Sequence, residues 1–314
     1  MGTTATNPTY EQTLPIGANA ARAWSELTEP AAMREWLDDR VEVELRVGGR
    51  FAFGGRRTPT FGNGESKDQV ITALDPGRSI SFRWWWAGSP TSCELIVEPV
   101  DERSSRIRVR HDLGADIAGI PAHSQRYLLR DFWHVTIGNL ESFLRTGRAA
   151  VMLDHTAPSK DATAAIEIDA SIERTWRTLT DPAEMRRWLE PDAELGLAPR
   201  AELRIGGAYS FGWQSDGAPM GPTTILELDP PRRLRHGWHY DGDSSDATEW
   251  TLEPIGRGRT RLAVRQIGVA HERERHAYAS GWGSFLFDIA LAAHAGGVAP
   301  ARAGAASTKG SHGS

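Results

Sequence analysis

Three polar residues, His111, His236 and Gln266, fall on predicted strand faces that are otherwise apolar. The alternation of apolar and polar residues in each run indicates a β-strand with one buried face, and the three side chains share that face. A buried polar group costs free energy unless it finds a hydrogen-bond partner. The sequence therefore predicts that these side chains orient a carbonyl or hydroxyl group of a ligand. The alternative is that each is a core or rim residue whose hydrogen bonds are satisfied within the protein.

Acid–base catalysis is the reaction chemistry that His111 or His236 would supply near neutral pH. Asp112 is next to His111, but neighbours on a strand point to opposite faces, so Asp112 is poorly placed to orient the imidazole. Cys93 is the only cysteine, which excludes an internal disulfide and a cysteine cage for a metal. It also has no identifiable base beside it. We expect no catalytic residue, no cofactor and no metal site, so a binding protein is favoured over an enzyme.

The strands that carry these polar residues are rich in tryptophan, of which the chain has 12. In the run ISFRWWW, residues 80–86, alternation separates three aromatic rings from Trp85. A second run, LRHGWHY, residues 234–240, has the same pattern with His236 in place of Phe82. Each aromatic face predicts the wall of a cavity for an apolar molecule, whereas ordinary core packing would explain about half of the positions.

The predicted ligand-binding residues are those on the inner face of each copy. In the first copy they are Trp36, Phe51, Phe53, Phe82, Trp84, Trp86, His111 and Trp133. In the second copy they are Trp188, Tyr209, Phe211, Trp213, His236, Trp238, Tyr240, Trp250, Gln266 and Trp282. Trp86 and Tyr240 are expected near the open end of the sheet. Because His111 and His236 are not at equivalent positions, the two cavities should differ in ligand preference, or one of them is vestigial.

The chain is a tandem repeat. WSELTEP at 24–30 returns as WRTLTDP at 176–182, LRVGG at 45–49 returns as LRIGG at 203–207, and LDP at 74–76 returns at 228–230. The order of the motifs is preserved, so we predict two copies of one domain, over 9–147 and 162–295. Residues 148–161 would form a linker, and the tail at 296–314, rich in Ala, Gly and Ser, would be disordered.

Each copy is predicted to be α+β, with a first strand, two short helices, six strands and a long closing helix. A strand at 41–47 should end at the turn Gly48-Gly49. The closing helices are expected at 124–146 and 272–294, where apolar residues fall at helical spacing. Gly281 and Gly283 lie inside the second of these helices and would let the sheet or a ligand approach its backbone.

Composition excludes several classes of function. The net charge of -5 gives no general attraction to nucleic acid. Membrane spans need roughly 20 consecutive apolar residues, and the sequence contains no such run. The first residues, MGTTATNPTYEQ, lack the pattern of a signal peptide. We therefore expect a cytoplasmic protein whose partner is a hydrophobic small molecule rather than nucleic acid or a membrane, with an oligomeric state that the sequence leaves open.

Three motifs carry a family resemblance. They are W-x-x-L-T-[ED]-P-A-x-M-R-x-W-L, L-R-[VI]-G-G-x-[FY]-x-F-G and the WGSFL segment of the last helix at 282–286. With the order of elements, they resemble START-like proteins, also called SRPBCC or helix-grip proteins, in the subgroup of homologues of a heat-shock-protein ATPase activator. The resemblance implies two tandem domains, each a curved antiparallel sheet wrapped around a long C-terminal helix with a cavity between them. Tandem, tryptophan-rich members of enediyne antibiotic clusters, some of which are self-resistance proteins, are also similar.

The resemblance and the aromatic faces lead to three hypotheses. The first is binding of a polyketide or enediyne-like natural product in a cavity of each domain, for sequestration, self-resistance or biosynthesis. The second is an enzyme of the polyketide cyclase or aromatase type. The third is a protein-interaction module that regulates a chaperone ATPase, which predicts a filled interior and an apolar patch on the surface.

Overall fold

The architecture was obtained as a computed structural model, which describes residues 9–59, 69–86, 89–112, 122–189, 196–215, 217–240 and 245–294. The first repeat has the predicted order of elements. Its elements are β1 (Thr9–Ile16), α1 (Ala20–Thr28), α2 (Pro30–Trp36), β2 (Arg40–Val43), β3 (Phe51–Gly54), β4 (Ile71–Asp75), β5 (Ser79–Trp86), β6 (Ser89–Pro99), β7 (Ser105–Asp112) and α3 (Ala122–Thr146). The predicted tail at 296–314 lies outside the described residues.

The second repeat begins and ends in the same way and divides its middle region into more, shorter strands. Its elements are β8 (Ala162–Ile168), α4 (Ile172–Thr180), α5 (Pro182–Leu189), β9 (Arg200–Ala201), β10 (Tyr209–Ser210), β11 (Gln214–Ser215), β12 (Ala218–Pro219), β13 (Gly221–Asp229), β14 (Arg233–His239), β15 (Ala247–Gly256), β16 (Arg259–Ile267) and α6 (Glu272–Ala293). The predicted α+β class, with two tandem helix-grip units, is confirmed.

Each repeat is built on a five-stranded antiparallel sheet. The first sheet has the order β1-β7-β6-β5-β4, and the second has the order β13-β14-β15-β16-β8. The first strand of each repeat therefore pairs with the last, β1 with β7 and β8 with β16. This pairing places the last strand, which carries His111 or Gln266, inside the sheet, beside the strand that precedes it.

The alternation that predicted the aromatic strands is confirmed. Along β5 the even-numbered residues from Ile80 to Trp86 are buried, while Trp85 is 40% exposed on the other face. Along β14, Leu234, His236 and Trp238 are buried in the same way. One face of each sheet therefore carries the rings, because side chains alternate across a strand.

Two predicted features of the sequence are corrected by the structure. The strand expected at 41–47 ends at Val43, because Glu44 to Gly49 form a compact turn in which the Gly49 amide donates to the Arg46 carbonyl. A Cβ at Gly49 would come within 2.2 Å of the Glu44 carbonyl oxygen, so this turn requires glycine. Gly281 and Gly283 approach helix α3 and the chain that follows it, as described below, rather than a sheet.

The closing helices α3 and α6 pack against each other between the repeats. Gly138 of α3 faces the ring of Phe287, and Gly283 of α6 faces Val135. The segment predicted as a linker also packs into this contact, since its residues Val151 and Leu153 are buried in the core of the second repeat. Each closing helix therefore has one face on its own sheet and another on the neighbouring repeat.

Candidate ligand-binding interior

The aromatic side chains of the first repeat form one cluster between sheet and helix. Trp84 lies at its centre, with its ring centroid 5.2 Å from that of Phe53, 5.1 Å from that of Trp86 and 5.8 Å from that of Trp133. Phe132, on the closing helix, lies 5.0 Å from Trp84 and completes the cluster. All five residues are at most 5% exposed. Most of the ring pairs are tilted or edge-to-face, which is the favourable geometry for aromatic contacts.

His111 joins this cluster to the closing helix through hydrogen bonds. The indole N–H of Trp133 donates to His111 Nδ1 at 3.3 Å. Because an indole N–H is only a donor, Nδ1 is unprotonated and Nε2 carries the hydrogen. Nε2 then donates to Thr91 Oγ1 at 2.7 Å, and the Thr91 hydroxyl donates to the Trp84 carbonyl at 2.7 Å. His111 is thus a neutral imidazole with both nitrogens in use.

The second repeat contains an aromatic cluster that extends from the interior toward the surface. Ring centroids are 5.1 Å apart for Trp250 and Trp282, 5.4 Å for Trp282 and Trp238, and 6.2 Å for Trp238 and Trp213. Trp250 is fully buried, whereas Trp213 is only partly buried. Tyr278 of the closing helix, also partly buried, accepts the indole N–H of Trp238 at 2.6 Å. The second cluster therefore has an outer end.

The polar residues of the second interior are also satisfied internally. The Trp282 indole donates to Gln266 Oε1 at 3.1 Å, which repeats the contact between Trp133 and His111 in the first repeat. Thr248 donates to the same oxygen at 2.6 Å. His236 Nε2 accepts from the Trp250 indole at 3.1 Å, and its Nδ1 lies 3.0 Å from the Gly237 carbonyl. The predicted polar trio is therefore engaged within the protein, as the alternative interpretation expected.

Burial makes both histidines poor acids and bases at neutral pH. It lowers the pKa of His111 to about 3 and the pKa of His236 to about 4, because the charged form is disfavoured away from water. Cys93 is fully buried, and burial raises the pKa of its thiol. General acid–base catalysis at neutral pH by either imidazole is therefore disfavoured.

The expected cavity of a few hundred cubic ångströms is replaced, in the described part of the chain, by the rings themselves. Two pockets bounded by described residues lie outside both clusters. One is an open surface groove of about 560 Å³ between Trp176, Leu203 and Pro231. The other, beside His155 and His276, has about 20 Å³, which is room for one water molecule.

The structure brings most of the predicted residues together and separates a few. Trp36 and Trp188 are anchored away from the polar trio, since their indoles donate to the carbonyls of Glu26 and Thr178. Tyr240, expected near the open end of the sheet, lies just beyond the end of β14 and is 45% exposed. The helix supplies three further cluster members that were not predicted as ligand contacts, although helical spacing pointed to them. They are Phe132, Tyr278 and Phe285.

The described residues hold neither a metal-binding cluster nor a membrane-spanning helix. Within them, no three His, Cys, Asp or Glu side chains are grouped so that they could hold a metal ion. The described helices also include none with the length and apolarity needed to cross a bilayer.

Comparison with known proteins identifies the family. The sequence pattern of the family described as Activator of Hsp90 ATPase homolog 1-like protein matches residues 17–159 and again 169–294. The chain belongs to this family. The two matches confirm that this AHSA1 protein is a tandem repeat. No curated protein sequence matches it.

Several solved structures show low similarity to this AHSA1 protein. DynU16, from the dynemicin biosynthetic locus, is 18% identical over 91% of this chain and 98% of its own, with a TM-score of 0.36. The di-domain ARO/CYC protein BexL, from the BE-7585A biosynthetic pathway, is 17% identical over 92% of this chain and 100% of its own, with a TM-score of 0.33. CalU16 from Micromonospora echinospora is 24% identical over 43% of this chain and 76% of its own, with a TM-score of 0.35.

Proposed function

We propose that this AHSA1 protein binds a flat, apolar natural product of the polyketide or enediyne class between sheet and closing helix, for sequestration, self-resistance or biosynthesis. The observation that carries the proposal is the run of four tryptophans in the second repeat, from the partly buried Trp213 to the buried Trp250. Aromatic surfaces of this kind bind flat molecules through stacking and burial of apolar area.

Binding would require the rings to move, because they fill the described interior. A guest enters at Trp213 and Tyr278, displaces Trp238 and stacks where that ring lay. The bond between the Trp238 indole and the Tyr278 hydroxyl holds the closed state. The pocket then belongs to a minor, open state of the free protein, which the guest stabilises.

Tryptophan fluorescence tests the proposal. The protein is titrated with an anthraquinone, an enediyne-type aromatic and a linear polyene, and quenching is fitted to a Kd. Trp213→Ala should weaken the binding of the best compound about threefold to tenfold, since it removes one aromatic contact. Trp85→Ala is the matched control, because Trp85 is 40% exposed on the outer sheet face. Absence of quenching by every compound, or equal loss in both variants, would refute the proposal.

Turnover of a polyketide chain receives little support from the site. Both histidines are neutral and their nitrogens are occupied, so a proton-transfer step would first have to break the contacts with Trp133 or Trp250. The cyclase or aromatase hypothesis predicts that His111→Gln abolishes turnover but retains binding. The binding hypothesis predicts no turnover in either protein.

A protein-interaction role is a second candidate, and an exposed surface favours it. The LR[VI]GG turn of each repeat carries two exposed apolar side chains, Leu45 at 43% and Val47 at 62%, then Leu203 at 45% and Ile205 at 70%. An apolar surface that returns in both repeats is typical of a contact with another protein. The variant Val47→Ser with Ile205→Ser should lose a partner in pull-down while keeping its stability and its fluorescence quenching by ligands. Unchanged recovery of the partner would contradict this candidate.

A further inference from the structure

The closing helix of the first repeat carries interior and interface residues side by side. Phe132 and Trp133 point into the aromatic cluster, with ring centroids 5.0 Å apart. Their neighbours Asp131 and His134 are buried on the side that faces α6. Val135, the next residue, belongs to the apolar core of the second repeat. A shift of α3 that opens the first interior must therefore change its contact with α6.

Helix α6 likewise carries residues of its own interior, in the second repeat, next to residues that contact the first repeat. Trp282 and Phe285 belong to the second aromatic cluster, with ring centroids 5.9 Å apart. Between them in sequence lie Gly283 and Ser284, and both contact the first repeat or the chain that follows it. The two helices are thus placed back to back, each between its own interior and its partner helix.

The contact between the helices, which we call the seam, is interlocked. A Cβ added at Gly138 would lie 2.8 Å from the Phe287 ring, so this ring fills the space that a side chain would occupy. A Cβ at Gly283 would lie 3.0 Å from Val135 and 3.4 Å from Val151. Such close packing resists relative sliding, because packed interiors deform in discrete steps rather than continuously.

Polar contacts reinforce the seam. His134 Nδ1 lies 2.8 Å from Ser284 Oγ, and His134 Nε2 lies 3.7 Å from an Asp288 carboxylate oxygen. The order of serine, histidine and aspartate is that of a nucleophilic triad. Ser284 is only 3% exposed between two helices, however, so no substrate reaches its hydroxyl. The three side chains act as a polar clasp between the repeats.

The chain that joins the repeats adds a third layer. Asn139 of α3 donates to the Val151 carbonyl at 2.8 Å and accepts from the amides of Ala150 and Val151 at 3.1 and 2.9 Å. Leu153, further along, lies next to Gly283. The connection is therefore fixed to both closing helices.

From this geometry we infer that the seam couples the two interiors, so that loosening α3 in the first repeat also loosens α6 in the second. For ligand binding, where the inference rests on the proposed function, occupation of one interior favours occupation of the other. Coupling of this kind is reciprocal, and it is typically worth about fivefold or more in an equilibrium constant.

Amide hydrogen exchange of the full chain, without any ligand, tests the coupling separately from the proposed function. Phe132→Leu removes a ring of α3 from the first aromatic cluster and so weakens the contact between α3 and the first interior. Ile137→Val is a milder change on the same helix, where Ile137 is 1% exposed in the first core. The control is Val41→Ala, in the same core but on β2, which pairs with β3 and contacts α2.

The expected result is that both α3 variants speed exchange in α6, about fivefold or more in peptides that contain residues 282–289 for Phe132→Leu and less for Ile137→Val. Val41→Ala should leave these peptides unchanged. Faster exchange in α3 with unchanged exchange in α6 would overturn the inference, and so would an equal effect of Val41→Ala. Because no ligand is present, either result stands whatever the fluorescence titration gives.

Discussion

At the scale of single residues, the two repeats use different side chains to accept the same hydrogen bond. In both, a tryptophan of the closing helix donates its indole N–H to the polar residue at the end of the last strand, His111 in one and Gln266 in the other. A buried indole N–H needs an acceptor, and either side chain supplies one. The polar residues thus attach the helix to the sheet.

The first repeat has His111 at this position and the second has Gln266, and this difference suggests a matched pair of variants of His111. His111→Leu leaves the Trp133 indole and the Thr91 hydroxyl without their partner, so the free energy of unfolding should fall by roughly 2–4 kcal/mol. His111→Gln copies the second repeat and should lose less than half as much. Urea unfolding of the full chain measures both. Equal stability of His111→Leu and the unchanged protein would show that the bonds contribute nothing.

Buried histidines also predict a dependence of stability on pH. The pKa of His111, His155 and His236 is lowered by burial to about 3, 3 and 4, below the ordinary value of 6.5. The unfolded chain therefore binds more protons than the folded chain below pH 6.5. The contribution of these neutral histidines to the free energy of unfolding is fully present above pH 6.5 and is lost as the pH decreases toward 4. For each of these histidines, the free energy of unfolding should fall by about 2 kcal/mol as the pH decreases from 6.5 to about 5.

Unfolding of His236→Gln as a function of pH checks this. The variant should lose less stability than the unchanged protein between pH 6.5 and 5, by about 2 kcal/mol. Burial raises the pKa of Asp38 to about 6, which acts in the opposite direction, but Asp38 is present in both proteins and cancels in the comparison. Parallel pH profiles would contradict the neutral, buried state of His236.

At the scale of elements, glycines on the closing helices have different roles. Gly281 has space, since a Cβ there would lie 3.4 Å from Asp131 Oδ2, which is ordinary contact. Gly138 has none, because the Phe287 ring would lie 2.8 Å away. Gly281→Ala should therefore stabilise the protein by up to about 1 kcal/mol through helix propensity. Gly138→Ala should destabilise it by about 1–2 kcal/mol despite the same gain, because of overpacking.

Thermal unfolding of these two variants compares them directly. Gly281→Ala should raise the midpoint and Gly138→Ala should lower it. If both variants raised the midpoint temperature, helix propensity alone would account for the two increases. That result would contradict the close packing of the seam at Gly138.

Sequence alone predicted the elements more completely than their contacts. Alternation assigned Trp84 and Trp85 to opposite faces, and the helical spacing of apolar residues located both closing helices. Hydrogen-bond partners were not predictable, because Trp133 and Thr91 reach His111 from elements that are distant in sequence. The end of β14 was not predictable either, because the alternation continues to Tyr240 whereas the strand ends at His239. The glycines of α6 were noticed, but the seam that they pack into depends on how the repeats meet.

At the scale of the whole molecule, the chain is two helix-grip units joined through their closing helices. Each interior is filled by rings in the described residues, and the second has an outer end at Trp213 and Tyr278. Under the proposed function, binding of an apolar guest requires movement of rings and helices, and the proposed coupling through the seam would extend that movement to both repeats. We therefore predict that a ligand bound in one repeat changes the ligand affinity of the other repeat. A ligand bound at a surface site should not have this effect.

The most direct measurement is a crystal structure of the protein with the tightest-binding compound of the fluorescence panel. We expect density for the compound between the second sheet and α6, with Trp238 moved away from the Tyr278 hydroxyl. Density confined to the surface groove between Trp176 and Pro231, with the rings of Trp238, Trp250 and Trp282 in their unliganded contacts, would contradict it.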